Sequence, residues 1–291
     1  MRGVLLAVGT LLAQEGTFHL MGTYAVIELP EGKTYEAYRI MKGVEELLSD
    51  YIPESDISRV NKSSGQCVKV SELTSKAVSK ALFVSNLTNG SFDPTVGSWS
   101  INFRRLGSIN EDEALKLIDF KKVRLSSGFV CLEKGMALDL GGIGKGFAIE
   151  ELYEMIKTPW GFVSIAGDLK VWGHQRELGV FNPLTGGLLA KGKNVKDLCM
   201  STGSNFLRRH ILGKENSVLQ VTVVGKDCAI VDAIETALVA MSDSERDRFL
   251  SQNRDIGVLV LLRDGSVFVN RVFLEYFSGL SIFPNDQRSQ D

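Results

Sequence analysis

The run Gly141-Gly-Ile-Gly-Lys-Gly146 constrains this chain more than any other six residues. It separates Met136-Ala-Leu-Asp-Leu140, which reads as a strand, from a helical stretch at Phe147 to Ile156. A strand, a glycine turn and a helix in succession can cradle a phosphate. No side chain keeps the anion from the backbone, and the helix start offers N–H groups and the positive end of its dipole. Lys145 adds a full charge. The bland alternative is a structural turn, because the run matches neither common nucleotide fingerprint. Gly146 stands where a P-loop needs Ser or Thr, and Phe147 stands where the dinucleotide pattern needs its third glycine.

Around this turn the chain mixes strands and helices without a strict βαβ rhythm, which favours an α+β fold over a doubly wound sheet. Thr23 to Leu29 reads as a strand ending at Pro30, and Tyr35 to Leu48 as an amphipathic helix. A second helix is expected from about Ser75 to Thr88, closed by Asn89-Gly90. Phe162 to Ile165 and Leu219 to Val224 read as strands. Val258 to Leu262 and Ser266 to Val269 flank Asp264-Gly265, a hairpin signal.

Ala229 to Met241 reads as an apolar helix in which Ile234, Leu238 and Met241 mark the buried stripe. Asp232 and Thr236 lie four residues apart, so their oxygens project from one face about a turn apart, with Glu235 near them. A carboxylate and a hydroxyl so placed can be partial ligands for Mg²⁺, which completes its shell with water and phosphate oxygens. A capping Asp232 and a back-bonded Thr236 are the competing reading. Ser91-Phe-Asp-Pro-Thr-Val-Gly97 is a punctuated loop with a carboxylate and two hydroxyls, and Asp168 follows Ala166-Gly167 at a strand end. Each is either a ligand position or an ordinary turn.

Composition narrows the alternatives. A formal net charge of −2 over 291 residues gives no electrostatic reason to expect nucleic acid as a partner. Cys67, Cys131, Cys199 and Cys228 form no C-x-x-C pair, no disulfide framework can be read, and the expected role is that of small buried hydrophobes. His19, His174 and His210 show no zinc spacing, so oxygen atoms must hold any metal, which favours Mg²⁺. Arg2 followed by the apolar run Val4 to Ala13 resembles a short secretory signal, too short to span a bilayer. Export to the outer side of the cytoplasmic membrane is slightly favoured over a cytoplasmic setting. A buried first strand is the other reading. The expected division is a signal or strand segment at 1–16 and one domain at 17–291.

Five blocks, in order, are similar to those of the ApbE-type FAD:protein FMN transferases. They are Met21-Gly-Thr23, Tyr51 to Asn61, Ser91 to Gly97, Leu138 to Gly146, and Val221 to Gly225 followed by Val231 to Leu238. The resemblance implies a single mixed α/β catalytic domain of the ApbE, T-fold-like type, with a flavin cleft. It implies that Met21, Tyr51, Ser91, Phe92, Asp93, Asp139, Lys145 and Ile211 line an FAD site. It implies that Asp232, Thr236 and the carbonyl of Gly142 hold Mg²⁺, with help from Glu235. His210 and Lys145 are the catalytic candidates, and Asp139 or His210 the proton acceptor. The implied reaction transfers FMN from FAD to a Ser or Thr hydroxyl of an acceptor flavoprotein, releasing AMP. The alternatives are Mg²⁺-dependent hydrolysis of FAD to FMN and AMP, and non-catalytic FAD binding. The chain departs from the family pattern after Ile211, where Leu-Gly-Lys-Glu-Asn216 replaces the usual residues, and at Ser201-Thr-Gly-Ser204.

Overall fold

The strands Val218–Gly225 and Gly257–Leu262 show how the sequence builds two cores at once. Because successive side chains of a strand point to opposite faces, Val221, Val223, Val258 and Val260 enter one apolar cluster while Val224, Leu259 and Leu261 enter another; a register shift between Val218 and Gln220 turns Leu219 to the second as well. The computed structural model describes residues 13–205 and 211–283. Across them an antiparallel eight-stranded sheet runs in the order Ala13–Leu20, Thr23–Pro30, Gly161–Ile165, Asp168–Trp172, Leu198–Ser204, Val218–Gly225, Gly257–Leu262 and Val267–Val269. On one face lie the helices Thr34–Leu48, Glu72–Leu87, Gly144–Ile156 and Cys228–Ala240. On the other lies a three-stranded sheet of Glu177–Phe181, Leu188–Asn194 and Phe277–Ile282. The α+β expectation holds.

Local chemistry sets the helix ends. Thr34–Leu48 buries Ala37, Met41, Val44 and Leu48 at i, i+4, i+7 and i+11, the single apolar stripe of an amphipathic helix. Glu72–Leu87 starts three residues before the expected Ser75 because the Ser71 hydroxyl caps it, accepting from the Thr74 N–H. Asp227 caps Cys228–Ala240 through the Ile230 N–H.

Met136 to Leu140 is not a ladder strand. Side chains from elsewhere take the backbone groups at its middle, and the Asp139 N–H donates to the Pro94 carbonyl. Asn61 donates to the Leu138 carbonyl at 2.8 Å and accepts from its N–H at 2.7 Å, and the Ser98 hydroxyl accepts from the Ala137 N–H. Only an isolated bridge, Val96 with Ala137, remains. Residues Ser98–Arg105 form a π-helix, which nothing in the sequence pattern predicts.

The cysteine reading also needs correction. Cys67 bonds to Cys131 across paired strands, and Cys199 bonds to Cys228. Sequence spacing carried no sign of either pair, because sheet register brings the first together and helix-on-strand packing the second. Cys199 and Cys228 are buried as expected; Cys67 is exposed. Buried Lys170 places its ammonium 3.4 Å from both the Cys199 sulfur and Glu150 Oε2. The same Glu150 oxygen accepts the Cys228 N–H. The first strand begins at Ala13; the rest of the signal-like run lies outside the described residues. No helix among the described residues is long and apolar enough to cross a membrane.

Candidate active site

The glycine turn and the Cys228–Ala240 helix meet at a distance only glycine permits. A Cβ on Gly146 would lie 2.2 Å from the Cys228 carbonyl oxygen and 2.7 Å from Asp232 Cβ. One on Gly142 would lie 2.9 Å from Thr236 Oγ1 and 3.3 Å from the Phe92 ring. These glycines therefore serve the packing of turn against helix, a role the phosphate-cradle reading did not include. The helix Gly144–Ile156 begins inside the run rather than after it. Its Gly146 N–H donates to Asp232 Oδ2 at 2.9 Å.

Above this junction opens a cleft of about 730 Å³. Its floor holds three carboxylates and one ammonium. Asp232 is 1% exposed, Asp168 4% and Glu235 4%. Lys145 Nζ lies 2.8 Å from Asp168 Oδ2 and 3.7 Å from Asp232 Oδ1. Burial, reinforced by the Asp168 charge, pushes Asp232 up to about 7 against the pull of Lys145. Burial, then Asp232 and Asp168, holds Glu235 well above the usual carboxylate range. The Lys145 ammonium is the reverse: burial opposes its charge, but Asp168 and Asp232 raise it above the ordinary lysine value. Glu235 Oε1 is buried with no hydrogen-bond partner among the described residues, and its carboxylate lies against Gly203, where a Cβ would come within 2.0 Å. Uncompensated buried carboxylate oxygen is expensive unless a cation or proton answers it. All the donors here are hard oxygens, so the residues present fit a divalent cation of the Mg²⁺ type.

The walls carry most of the remaining candidates. Asp139 lines the cleft, with Oδ1 accepting the Gly141 N–H at 2.8 Å and Oδ2 the Ser100 hydroxyl at 2.6 Å. Ser91, Phe92 and Ile211 line it as well. Tyr51 stands at the rim, 77% exposed, under the guanidinium of Arg105, which also pairs with Asp50 at 2.6 Å. Asp93 is in the wall, but its carboxylate serves its own loop. It accepts from the Thr95 N–H and hydroxyl and from the Phe120 N–H, and burial raises its pKa. Met21 is not brought into the cleft lining. It occupies the turn between the first two strands at φ 51°, and its N–H donates to Glu45 Oε1. His210 lies outside the described residues.

Sequence reasoning missed Asp50, Ser100, Arg104 and Arg105. The last three sit on the π-helix, where Leu106 donates back five residues to Ile101. Such winding has no periodic signature in sequence, and it is often found at functional sites. The unusual Leu-Gly-Lys-Glu-Asn216 stretch has a structural task. The Lys214 N–H and the Asn216 side-chain amide donate to carbonyls of Val239, Ala240 and Met241 that end the Asp232 helix. Asn205 makes two hydrogen bonds to the Ile211 backbone, 3.0 Å from its N–H and 2.9 Å to its carbonyl.

Comparison with known proteins gives the family and the fold. The model of the ApbE family matches residues 21–260. The FAD:protein FMN transferase of Treponema pallidum is 28% identical over 42% of this chain and 38% of that protein. That of Vibrio cholerae is 23% identical over 92% of this chain and 96% of that protein. Among solved structures, the ApbE protein of Thermotoga maritima superposes with a TM-score of 0.82 at 22% identity, covering 92% of this chain and 100% of that one. The flavinyl transferase ApbE of Pseudomonas stutzeri, in its apo form, gives 0.78 at 19% identity, over 92% and 97%. The fold is that of these proteins. Since the family match runs from the Met21 turn through the helix of Asp232 and Thr236 into the strand Gly257–Leu262, the chain belongs to the ApbE family.

Proposed function

We propose that this chain is a FAD:protein FMN transferase that moves the FMN moiety of FAD onto a Ser or Thr hydroxyl of a target flavoprotein, with Mg²⁺, and releases AMP. The observation that carries this reading is the buried carboxylate set at the foot of the cleft, with Glu235 Oε1 unpartnered among the described residues, beside Asp232 and Lys145. Asp232, Thr236 and the backbone of Gly142 would hold the cation, with Glu235 adjoining. When bound, it supplies positive charge to the bridging and leaving phosphate oxygens.

The chain's own residues account for the rest. The acceptor hydroxyl oxygen attacks the FMN phosphorus. The bond from that phosphorus to the bridging oxygen breaks, and its electron pair leaves with AMP. The hydroxyl proton would go to Asp139, which Gly141 and Ser100 fix, or to His210. Lys145 contributes charge to the pyrophosphate. Phe92 and Ile211 give the cleft apolar surface and Tyr51 an aromatic rim for the flavin and adenine rings. Phosphoryl transfer depends chiefly on such positioning and neutralisation.

The two disulfides support a site of action outside the reducing cytoplasm. The acceptor would then be a flavoprotein exposed on the outer side of the membrane.

The test is incubation with FAD, Mg²⁺ and a flavoprotein acceptor, read by intact mass. Gain of one FMN by the acceptor, with AMP formed in equal amount, is the expected result. FMN and AMP released free, with the acceptor mass unchanged, would make the chain a hydrolase.

A further inference from the structure

Lys145 is shared unequally between two carboxylates. It makes a close contact to Asp168, at 2.8 Å, and a loose one to Asp232, at 3.7 Å. The two partners come from different elements at the floor of the cleft. Asp168 opens the strand Asp168–Trp172, and Asp232 sits on the helix Cys228–Ala240.

Asp168 is held firmly. Its Oδ1 accepts the Ser201 hydroxyl from the next strand, and the Gly167 carbonyl before it accepts the Thr202 N–H. Gly167 itself lies against Thr202, where a Cβ would come within 2.4 Å of the carbonyl oxygen. Asp168 thus anchors the ammonium on the sheet side of the cleft. The opposite placement would have a chemical consequence. An ammonium in contact with Asp232 occupies the lone pairs a divalent cation must use, and any cation then has to displace it.

We propose that Asp168 is a positioning residue that holds Lys145 off Asp232, keeping the Asp232 carboxylate available to the cation. The proposal rests on the Mg²⁺ reading of the site given above. It gives a task to a buried carboxylate that neither the cation ligation nor the proton transfer uses. It also explains why three buried carboxylates accompany one lysine. One neutralises the lysine, and two face the place of the cation.

A direct or long-range charge effect of Asp168 predicts something different from positioning, and the Lys145→Met background separates them. Cation binding is measured with Mn²⁺ alone, without FAD, by titration calorimetry and the electron paramagnetic resonance of free Mn²⁺. Asp168→Asn keeps the shape and an oxygen for Ser201. It should weaken Mn²⁺ binding by about ten- to a hundredfold, the scale of one charge-assisted hydrogen bond from the released ammonium to Asp232. In Lys145→Met the same Asp168→Asn change should shift Mn²⁺ affinity by less than about threefold, because no ammonium remains to be held. Such non-additivity is the signature of coupling. Asp168→Glu, which retains the charge, should recover part of the loss and covers the case in which Asp168→Asn fails to fold.

Equal losses in the two backgrounds would overturn the proposal, and so would wild-type affinity in Asp168→Asn. A wild-type chain that binds no Mn²⁺ up to millimolar concentration would instead remove the cation reading on which the proposal stands.

Discussion

Gly146 and Asp232 are locked together: the glycine N–H donates to Oδ2 at 2.9 Å, and the missing side chain leaves room for the aspartate's own Cβ. A Gly146→Ala variant would drive its methyl into the Cys228 carbonyl. The helix must retreat, and overpacking of this kind typically costs about 1–3 kcal/mol. The expected result is a lowered melting temperature together with weakened Mn²⁺ binding. Gly144→Ala is the control, since among the described residues nothing beyond its own helix backbone and chain neighbours lies within 4 Å of a Cβ there; it should change neither.

Asp232→Asn should abolish Mg²⁺-dependent product formation while leaving the fold in place. Asparagine keeps an oxygen for the Gly146 N–H and removes one of three crowded carboxylate charges. In the presence of EDTA the variant should therefore melt no lower than wild type. Parallel melting curves and product assays check both halves.

Lys145→Ala should weaken FAD binding in the presence of Mg²⁺ by about ten- to a hundredfold, from the loss of one charge-assisted contact. Lys145→Arg should recover only part, because a planar fork replaces a compact ammonium. Calorimetric titration of FAD into the three proteins decides this. Equal affinities would remove Lys145 from the pyrophosphate site.

Glu245 gives the acid limb of stability a specific source. Contact with Lys214, then with the Ser242 hydroxyl and N–H, depresses its carboxyl to about 2. A depressed folded-state pKa means stability present above the ordinary value of 4.5 and lost as pH falls from there toward 2. Glu245→Gln should lower stability at pH 7 by about 0.3–1 kcal/mol, the scale of a charge at a helix start. It should also flatten the decline between those two pH values. Urea unfolding across the range measures it.

Breaking the Cys199–Cys228 bond should destabilise the chain by about 2–4 kcal/mol. A Cys199→Ala, Cys228→Ala double variant should melt well below wild type and no longer respond to reductant at this site.

The parts of the site carried by local periodicity were legible in the sequence. Asp232 and Thr236 are one helical turn apart, and the glycine run announced a close approach, which the structure shows to be made to a helix. What was illegible depended on distant chain segments. Asp168 could be read only as a ligand position or a turn residue, and not as a partner of Lys145, because the strand of its partner Ser201 comes 33 residues on. Met136 to Leu140 looked like a strand because nothing local shows that Asn61 and Ser98 take its hydrogen bonds. Arg104 and Arg105 give no sign of themselves because five-residue winding leaves no hydrophobic period. Met21 was assigned to the flavin site by resemblance alone, and its backbone bond to Glu45 holds it in the turn outside the cleft lining.

The Asn205–Ile211 hydrogen bonds draw a purse-string between two points of the chain that flank residues 206–210. Below that neck, Lys214 and Asn216 secure the end of the Asp232 helix, and the Cys199–Cys228 bond secures its beginning. The helix of Asp232 and Thr236 is therefore tied at both ends, to a neighbouring strand where it starts and to the loop of Asn216 where it stops, with those two residues at mid-span. A beam supported at both ends keeps one support when the other is loosened, so a change at either tie should tilt the helix less than it would a helix held at one end.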